Sequence, residues 1–316
     1  MTGPSLLGDV SVTHNWERAS SVYCCRSQHF CRPRELRYGH GQLSPDLASK
    51  WVTLDRDEAT NAFLENCLAG HLGPRLLDIC KLAPLRILRW YFSATDANAL
   101  LGRGEMFVLS SDQAQRLLGA GTSGVLLDIG AGAGHTTSEL AQLFDQVIAT
   151  EVSGPMVTKL EARGFPVLQG SDLSGLQDLA ALHGIALGEG GLVDCIALMN
   201  VLDRCDRPLS LLEEIRERLK PDGRLLLAVV LPFRPFVENG IFHLQPSEQL
   251  NLSRNAIFEY AMEEIWLSVL KPMGFHLQAI FLAHGQAVAR VPYLCKGDLF
   301  ANVYVLDDAI FVLSRA

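Results

Sequence analysis

No window of this 316-residue chain approaches the ~18 uninterrupted apolar residues that a membrane-crossing helix needs. The opening, Met1 to Val10, lacks a basic segment followed by a long apolar run, so no secretory signal is expected. A basic excess is lacking too. Lys and Arg number 27 against 35 Asp and Glu, the net charge is −8 and the pI is about 5.6. Such a chain has no long-range attraction for phosphate backbones, so a nucleic-acid partner is not expected. Internal repeats and low-complexity runs are absent. Eight cysteines occur without a secretory context, which implies free thiols. Cys24, Cys25, His29 and Cys31 lie close together, but their spacing matches no usual zinc finger and no second ligand pair follows, so no metal is expected.

What is present is an ordinary globular composition, 48% hydrophobic and 20% charged. Three stretches differ in pattern. Residues 1–45, rich in Ser, Arg, Cys and Gly, read as an irregular arm. Its basic stretch Arg26 to Arg37 reads as solvated. Residues 46–103 read as a helical extension packing on the core, because Trp51, Leu54, Ala59, Phe63, Leu64 and Cys67 recur at helical spacing. A second helix is expected around Pro74 to Phe92. Its apolar run Leu77 to Phe92 is broken by Asp78, Lys81, Pro84, Arg86 and Arg89, an amphipathic pattern with a membrane-surface role as the secondary reading.

Residues 104–316 form the third stretch. Strand-like runs at Val125 to Asp128, Gln146 to Glu151, Val193 to Met199 and Gly223 to Leu231 alternate with helical runs at Thr136 to Phe144, Leu209 to Leu219 and Phe258 to Leu270. Alternation of this kind implies an α/β fold, a mostly parallel sheet with helices on both faces. Phe275 to Ala283 and Tyr304 to Leu313 close the chain as strands with no helix between them, which predicts a terminal antiparallel excursion.

The chemistry concentrates at strand ends. Asp128-Ile129-Gly130-Ala131-Gly132-Ala133-Gly134 follows a buried strand and opens a helix. Glycines there let the backbone turn sharply and approach a ligand. A dinucleotide fingerprint would need glycine at 135, where His135 stands. The pattern acid-x-G-x-G-x-G is instead that of S-adenosylmethionine (SAM)-dependent methyltransferases. Glu151, followed by Val152, ends the next strand, where a carboxylate can accept both ribose hydroxyls. Asp172, after the third short strand, faces an adenine amino group or is a solvated loop acid. Asn200 to Pro208 stands at the carboxyl end of a strand, where ligands of open α/β sheets bind. It has none of the D/N-P-P-Y/F type motif of many amino-methylating enzymes. Asn200 and Asp203 are the polar groups placed nearest the methyl donor, and Asp206 suits the cap of a helix begun by Pro208.

The runs Leu100 to Phe107, Asp128 to Gly134 and Asn200 to Pro208, with Leu231 to Asn239, Val291 to Asp298 and Tyr304 to Ala309, resemble the methyltransferase-like protein 9 family, also called DREV. The resemblance covers roughly residues 96–316. It implies a Rossmann-like class I fold, a seven-stranded mostly parallel sheet with the last strand antiparallel, and a helical extension before it. It implies a SAM-dependent protein methyltransferase that modifies histidine Nδ1 in His-x-His motifs, with S-adenosylhomocysteine as product. Carried over residue by residue, Asp128, Gly130, Gly132 and Glu151 hold SAM, and Ala131, Val152, Asp172 and Asn200 are further cofactor-binding candidates. Asn200, Asp203 and Tyr304 hold the target imidazole, and Arg103, Met106 and Phe107 close the site. Ala133 and His135 depart from the more polar or acidic residues of the family's loop, and residues 240–290 are rearranged, with additional residues around His284. His135 is expected on the solvent side of its helix. Partners are then proteins with alternating histidines, metal-binding proteins among them, met by a monomer in the cytoplasm or against a membrane or organelle. A small-molecule methyltransferase and a catalytically silent SAM-binding protein are the competing readings.

Overall fold

The computed structural model describes residues 36–69, 96, 100, 105–119, 121–239, 242–277, 287–296 and 303–315. The arm's cysteine and histidine cluster, the helix expected at 74–92 and Arg103 lie outside the described residues.

The sheet grows from Val125–Ile129 (β2), every residue of which is buried, as a central parallel strand requires. Gln146–Glu151 (β3) and Val193–Met199 (β5) flank β2 in parallel. Val167–Gln169 (β4) extends the sheet beyond β3, and Leu219–Leu231 (β6) extends it beyond β5, also in parallel. Val303–Arg315 (β11) then inserts antiparallel against β6, with Asp307 opposite Leu231 and Leu313 opposite Leu225. Val288–Lys296 (β10) runs antiparallel to β11. That set of seven matches the expected class I sheet, its last strand antiparallel. Two short additions make nine strands, Met106–Phe107 (β1) on β10 and Phe275–Leu277 (β9) on the end of β11, while Val237–Asn239 (β7) and Phe242–Leu244 (β8) pair with each other in a separate sheet.

Two expectations change. The run begun at Phe275 does pair antiparallel with the last strand, but only over Phe275–Leu277, and the longer mate of that strand is β10; residues 278–286 lie outside the described set. Pro292 hides β10 as a strand in sequence. It is tolerated because β1 pairs only with Leu294 and Cys295, so the outer edge of β10 at 292 needs no N–H. Trp51 and Leu54 sit on an extended segment rather than a helix. Val52 N–H donates to Val288 at 2.8 Å, and Val52 and Leu54 are buried on either side of exposed Thr53, a period of two. The helix Glu58–Ala69 starts later, with Asp57 Oδ1 accepting from Thr60 N at 2.9 Å.

Helices cover both faces. Ser111–Leu118 opens on a capping box in which Ser110 Oγ accepts from Gln113 N while Gln113 Oε1 accepts from Ser110 N. It buries Ala114, Leu117 and Leu118 with Val52 and Leu54 against Leu126, Ala197, Leu226 and Ile310. Pro208–Arg218 and Phe258–Ile265, the latter continued by a π-turn Trp266–Leu270, pack on the opposite face around Leu127, Ile196, Leu227 and Phe311. Asp206 does not cap the helix at Pro208. Its carboxylate accepts from Ser247, and Glu248 Oε2 takes the helix's Ser210 N–H at 2.9 Å instead. Among the described residues no helix is long and apolar enough to cross a membrane.

Candidate active site

The glycine loop connects β2 to the helix His135–Leu140. Gly130, Gly132 and Gly134 all have positive φ, at 70°, 58° and 79°. A Cβ on Gly130 would lie 2.6 Å from a methyl of Val201, and one on Gly134 would lie 2.7 Å from Leu160. Those two glycines allow the loop to close on neighbouring elements. At Gly132 a Cβ would meet only Met106 Cε at 3.8 Å. This stretch of loop is open, and it forms one wall of a concavity. Met106, Val108, Asp128, Ala131, Met199 and Tyr293 are among the other lining residues.

Two carboxylates anchor this end. Glu151 is buried, and three backbone groups converge on it. Val152 N and Ser153 N donate to Oε1 at 2.8 and 2.9 Å, and Gly132 N donates to Oε2 at 2.8 Å. A carboxylate offers about four lone-pair sites, so Oε2 keeps one for a ligand hydroxyl among the described residues. Asp128 Oδ2 accepts from Thr137 Oγ1 at 2.6 Å, while its Oδ1 is buried without a partner among the described residues. Burial, with a smaller push from the Glu151 charge, raises Asp128 to about 7. A buried orphan acceptor and one remaining Glu151 site beside an open glycine wall fit a ligand that brings an ammonium group and a hydroxyl, one ribose hydroxyl rather than the expected two.

The other end gathers residues distant in sequence. Asn200 follows β5 with φ 58°, and its Nδ2 donates to Asp308 Oδ2 at 2.7 Å. Asp203 is 4% exposed, and its Oδ2 lies 3.2 Å from Arg204 Nε. Burial raises Asp203 to about 6 against the lowering effect of Arg204, so it is mostly ionised at neutral pH. Arg204 also stacks on Phe236, 3.7 Å from its ring, and Phe236 stacks on His243 at 4.3 Å. Asp308 is fully buried. Burial first, then the charges of Asp203 and Asp307, push its carboxyl well above the usual range, against the Asn200 hydrogen bond. The charge of Asp203 opposes the ionisation of Asp308.

The expected site residues separate on this geometry. Asp128, Gly130, Ala131, Gly132 and Met106 line the concavity together. Glu151 adjoins it through Gly132, and Val152 contributes its N–H to Glu151 while its side chain is 64% exposed. Asp172 is exposed and closes its own turn by accepting from Ser174 N. Phe107 points to the other face of β1, where its ring stacks on Phe63 at 5.5 Å. His135 is half-buried in the pocket wall, 3.0 Å from Arg163 Nη2, rather than on the solvent side. Tyr304 is half-buried on β11 opposite Cys295. The tyrosine in the pocket wall is Tyr293, opposite Leu306, whose hydroxyl donates to Met106 Sδ. Tyr293 and Asp308 carry no local signal, and only the long motifs Val291 to Asp298 and Tyr304 to Ala309 pointed to their strands.

A model of the DREV methyltransferase family matches residues 38–315. The chain belongs to the DREV methyltransferase family. The match begins well before residue 96, where the motif resemblance started, and so takes in the segment from Tyr38 to Ala69 that packs on the sheet. A ubiquinone biosynthesis O-methyltransferase of Schizosaccharomyces pombe is 34% identical over 110 residues, which span 33% of this DREV chain and 37% of that enzyme. Among solved structures, a SAM-dependent methyltransferase from Aquifex aeolicus is similar at 16% identity and a TM-score of 0.38, over 64% of this chain and 88% of that one. A complex of DhpI with S-adenosylhomocysteine is similar at 15% identity and a TM-score of 0.35, over 62% and 80%.

Proposed function

We propose that this DREV-family methyltransferase transfers the methyl group of SAM to the Nδ1 atom of histidine in His-x-His segments of other proteins. The observation that supports the reading is Asp203, a buried carboxylate three residues after Asn200 whose charge reaches Tyr293, a residue of the pocket wall. SAM supplies an electrophilic methyl on a sulfonium sulfur, and its ammonium and ribose match the Asp128 orphan oxygen and the remaining Glu151 site.

Imidazole titrates near ~6.5, so at neutral pH much of it is already uncharged and needs no base to strip a proton first. Asp203 accepts the Nε2–H, which leaves the lone pair on Nδ1. Its charge then stabilises the ring as positive charge develops with methylation. Asn200 and Tyr304 hold the ring and its peptide. The partners are proteins with alternating histidines, including metal-binding proteins, which lose one ligand nitrogen on methylation. The enzyme works as a monomer in the cytoplasm or against an organelle surface.

The partial similarity to a ubiquinone biosynthesis O-methyltransferase favours a second reading, a small phenolic or alcoholic acceptor. Labelled SAM and two matched peptides separate the readings. One peptide carries Ala-His-Ala-His, and the other has both histidines replaced by alanine. Label on the histidine peptide alone, mapped to Nδ1, is the expected result. Absence of label on either peptide, with SAM binding intact, overturns the histidine reading in favour of a small-molecule enzyme or a silent SAM-binding protein.

A further inference from the structure

Asn200 is tied at both its backbone and its side chain. Its N–H donates to Ala228 at 3.0 Å, and its φ of 58° puts it in the left-handed region. Its Nδ2 donates to Asp308 at 2.7 Å, across 108 residues of sequence. An amide held by its nitrogen end must turn its oxygen end away. Asn200 Oδ1 is buried and has no partner among the described residues. A ligand N–H would satisfy it.

We propose that Asp308 is a positioning residue for the methyl acceptor: it holds the Asn200 side-chain nitrogen and so presents the Asn200 amide oxygen to an N–H of the substrate. The inference rests on the histidine reading and deepens it, because Asp203 takes the single imidazole N–H and an acceptor oxygen beside it selects a backbone N–H of a peptide, which a small phenol or alcohol does not bring. Asp308 is set for this by its strand. It sits opposite Val230 of β6 and Val291 of β10, fully buried. The groups that influence it are Asp203 beyond the end of β5, Tyr293 and Cys295 on β10, and Asp307 on its own strand. Asp307 is engaged by Arg290, with Nε to Oδ1 at 3.2 Å and Nη2 to Oδ2 at 3.0 Å. Protonated or ionised, Asp308 keeps an oxygen that accepts from Asn200, so the positioning holds across the working pH range.

The test is a mutant cycle in the full chain, read by methylation of the histidine peptide. Asp308→Asn retains a carbonyl that accepts from Asn200 and is expected to keep kcat/KM within about 3-fold of the unmodified enzyme. Asp308→Leu fills the space without an acceptor and is expected to lose at least ~30-fold, with SAM affinity unchanged. In an Asn200→Ala background, Asp308→Leu should add nothing, because the effect runs through Asn200. A loss that multiplies in that background, or an Asp308→Asn enzyme as poor as Asp308→Leu, overturns the proposal. Silence of the unmodified enzyme on histidine peptides would overturn the histidine reading alone. The Asn200 side-chain amide signal in a ¹⁵N spectrum still decides this inference. A shift in Asp308→Leu that Asp308→Asn does not show supports it, and an unchanged signal in Asp308→Leu overturns it.

Discussion

The two ends of the pocket are built by opposite strategies. At the methyl-donor end the decisive bonds are short in sequence: Glu151 takes the N–H groups of Val152 and Ser153, one and two residues away, and of Gly132, 19 away. Asp128 and Thr137 are nine apart. At the proposed acceptor end Asn200 reaches Asp308 across 108 residues, and Met106 meets Tyr293 across 187. The first end is a product of consecutive βα units, and the second exists only after the antiparallel strands β10 and β11 have returned to the sheet. The donor end is therefore a ready-made frame. The acceptor end holds two carboxyl groups in one buried neighbourhood, and their ionisation depends on each other.

Breaking the acceptor end should have the largest effect. On the proposed mechanism, Asp203→Ala removes a charge-assisted bond to the acceptor, about 1.5–3 kcal/mol, and the orientation it imposes. The expected loss in kcat is on the order of 10²-fold or greater. SAM affinity, measured by calorimetry, should stay the same, because Asp203 belongs to the other end. Near-full turnover would remove Asp203 from the mechanism.

Gly130→Ala tests the donor frame. The residue would carry a side chain at φ 70°, costing roughly 1–2 kcal/mol, and its Cβ would lie 2.6 Å from Val201. Loss of SAM affinity of about tenfold and a lowered unfolding midpoint are expected. Unchanged binding would mean that the loop can shift without cost.

Asp128→Asn probes the electrostatics of that frame. Asp128 titrates at about 7 in the folded chain, against ~3.9 when unfolded. Between those values the folded state keeps a proton that the unfolded state has lost. This group therefore contributes stability that falls as pH rises from about 4 to 7. A bound ammonium reverses the preference and favours the ionised form. SAM affinity should rise by up to ~10-fold per pH unit below 7 and level off above it. Asp128→Asn should flatten both trends, and a variant that keeps the slope would assign it to another group.

The same contrast explains what could be read from the residues alone. The donor end was legible because acid, glycines and the next strand's acid lie in fixed order: Asp128, Gly130, Gly132 and Glu151 all stand at the pocket or adjoin it. Asn200 and Asp203 were legible as polar groups at a strand end. Asp308 and Tyr293 were not, since nothing local tells a buried acid that faces Asn200 from its neighbour Asp307, which pairs with Arg290 on the other face. Phe107 was misread for a related reason. On a two-residue strand the side chains alternate, so Met106 enters the pocket and Phe107 goes to Phe63. Trp51 and Leu54 fit a helical spacing, yet the bridge to Val288 holds the segment extended.

The smallest expected effect sharpens the comparison within the donor end itself. Thr137 is fully buried, and its hydroxyl is the one side-chain partner of Asp128 among the described residues. Thr137→Val keeps the shape and removes the donor, leaving both Asp128 oxygens without a partner among the described residues. The hydrogen bond lowers the Asp128 pKa, so its loss moves the titration above about 7. At neutral pH less of the chain then carries the charge that meets an ammonium. A bond of this kind contributes about 0.5–1.5 kcal/mol, so SAM affinity at pH 7 should fall roughly 2–13-fold. The deficit should shrink at higher pH, where Asp128 ionises in both proteins. Calorimetry at two pH values, one below 7 and one well above it, reads the difference directly. An equal loss at both would mean that Thr137 acts through packing and leaves the charge on Asp128 unaltered.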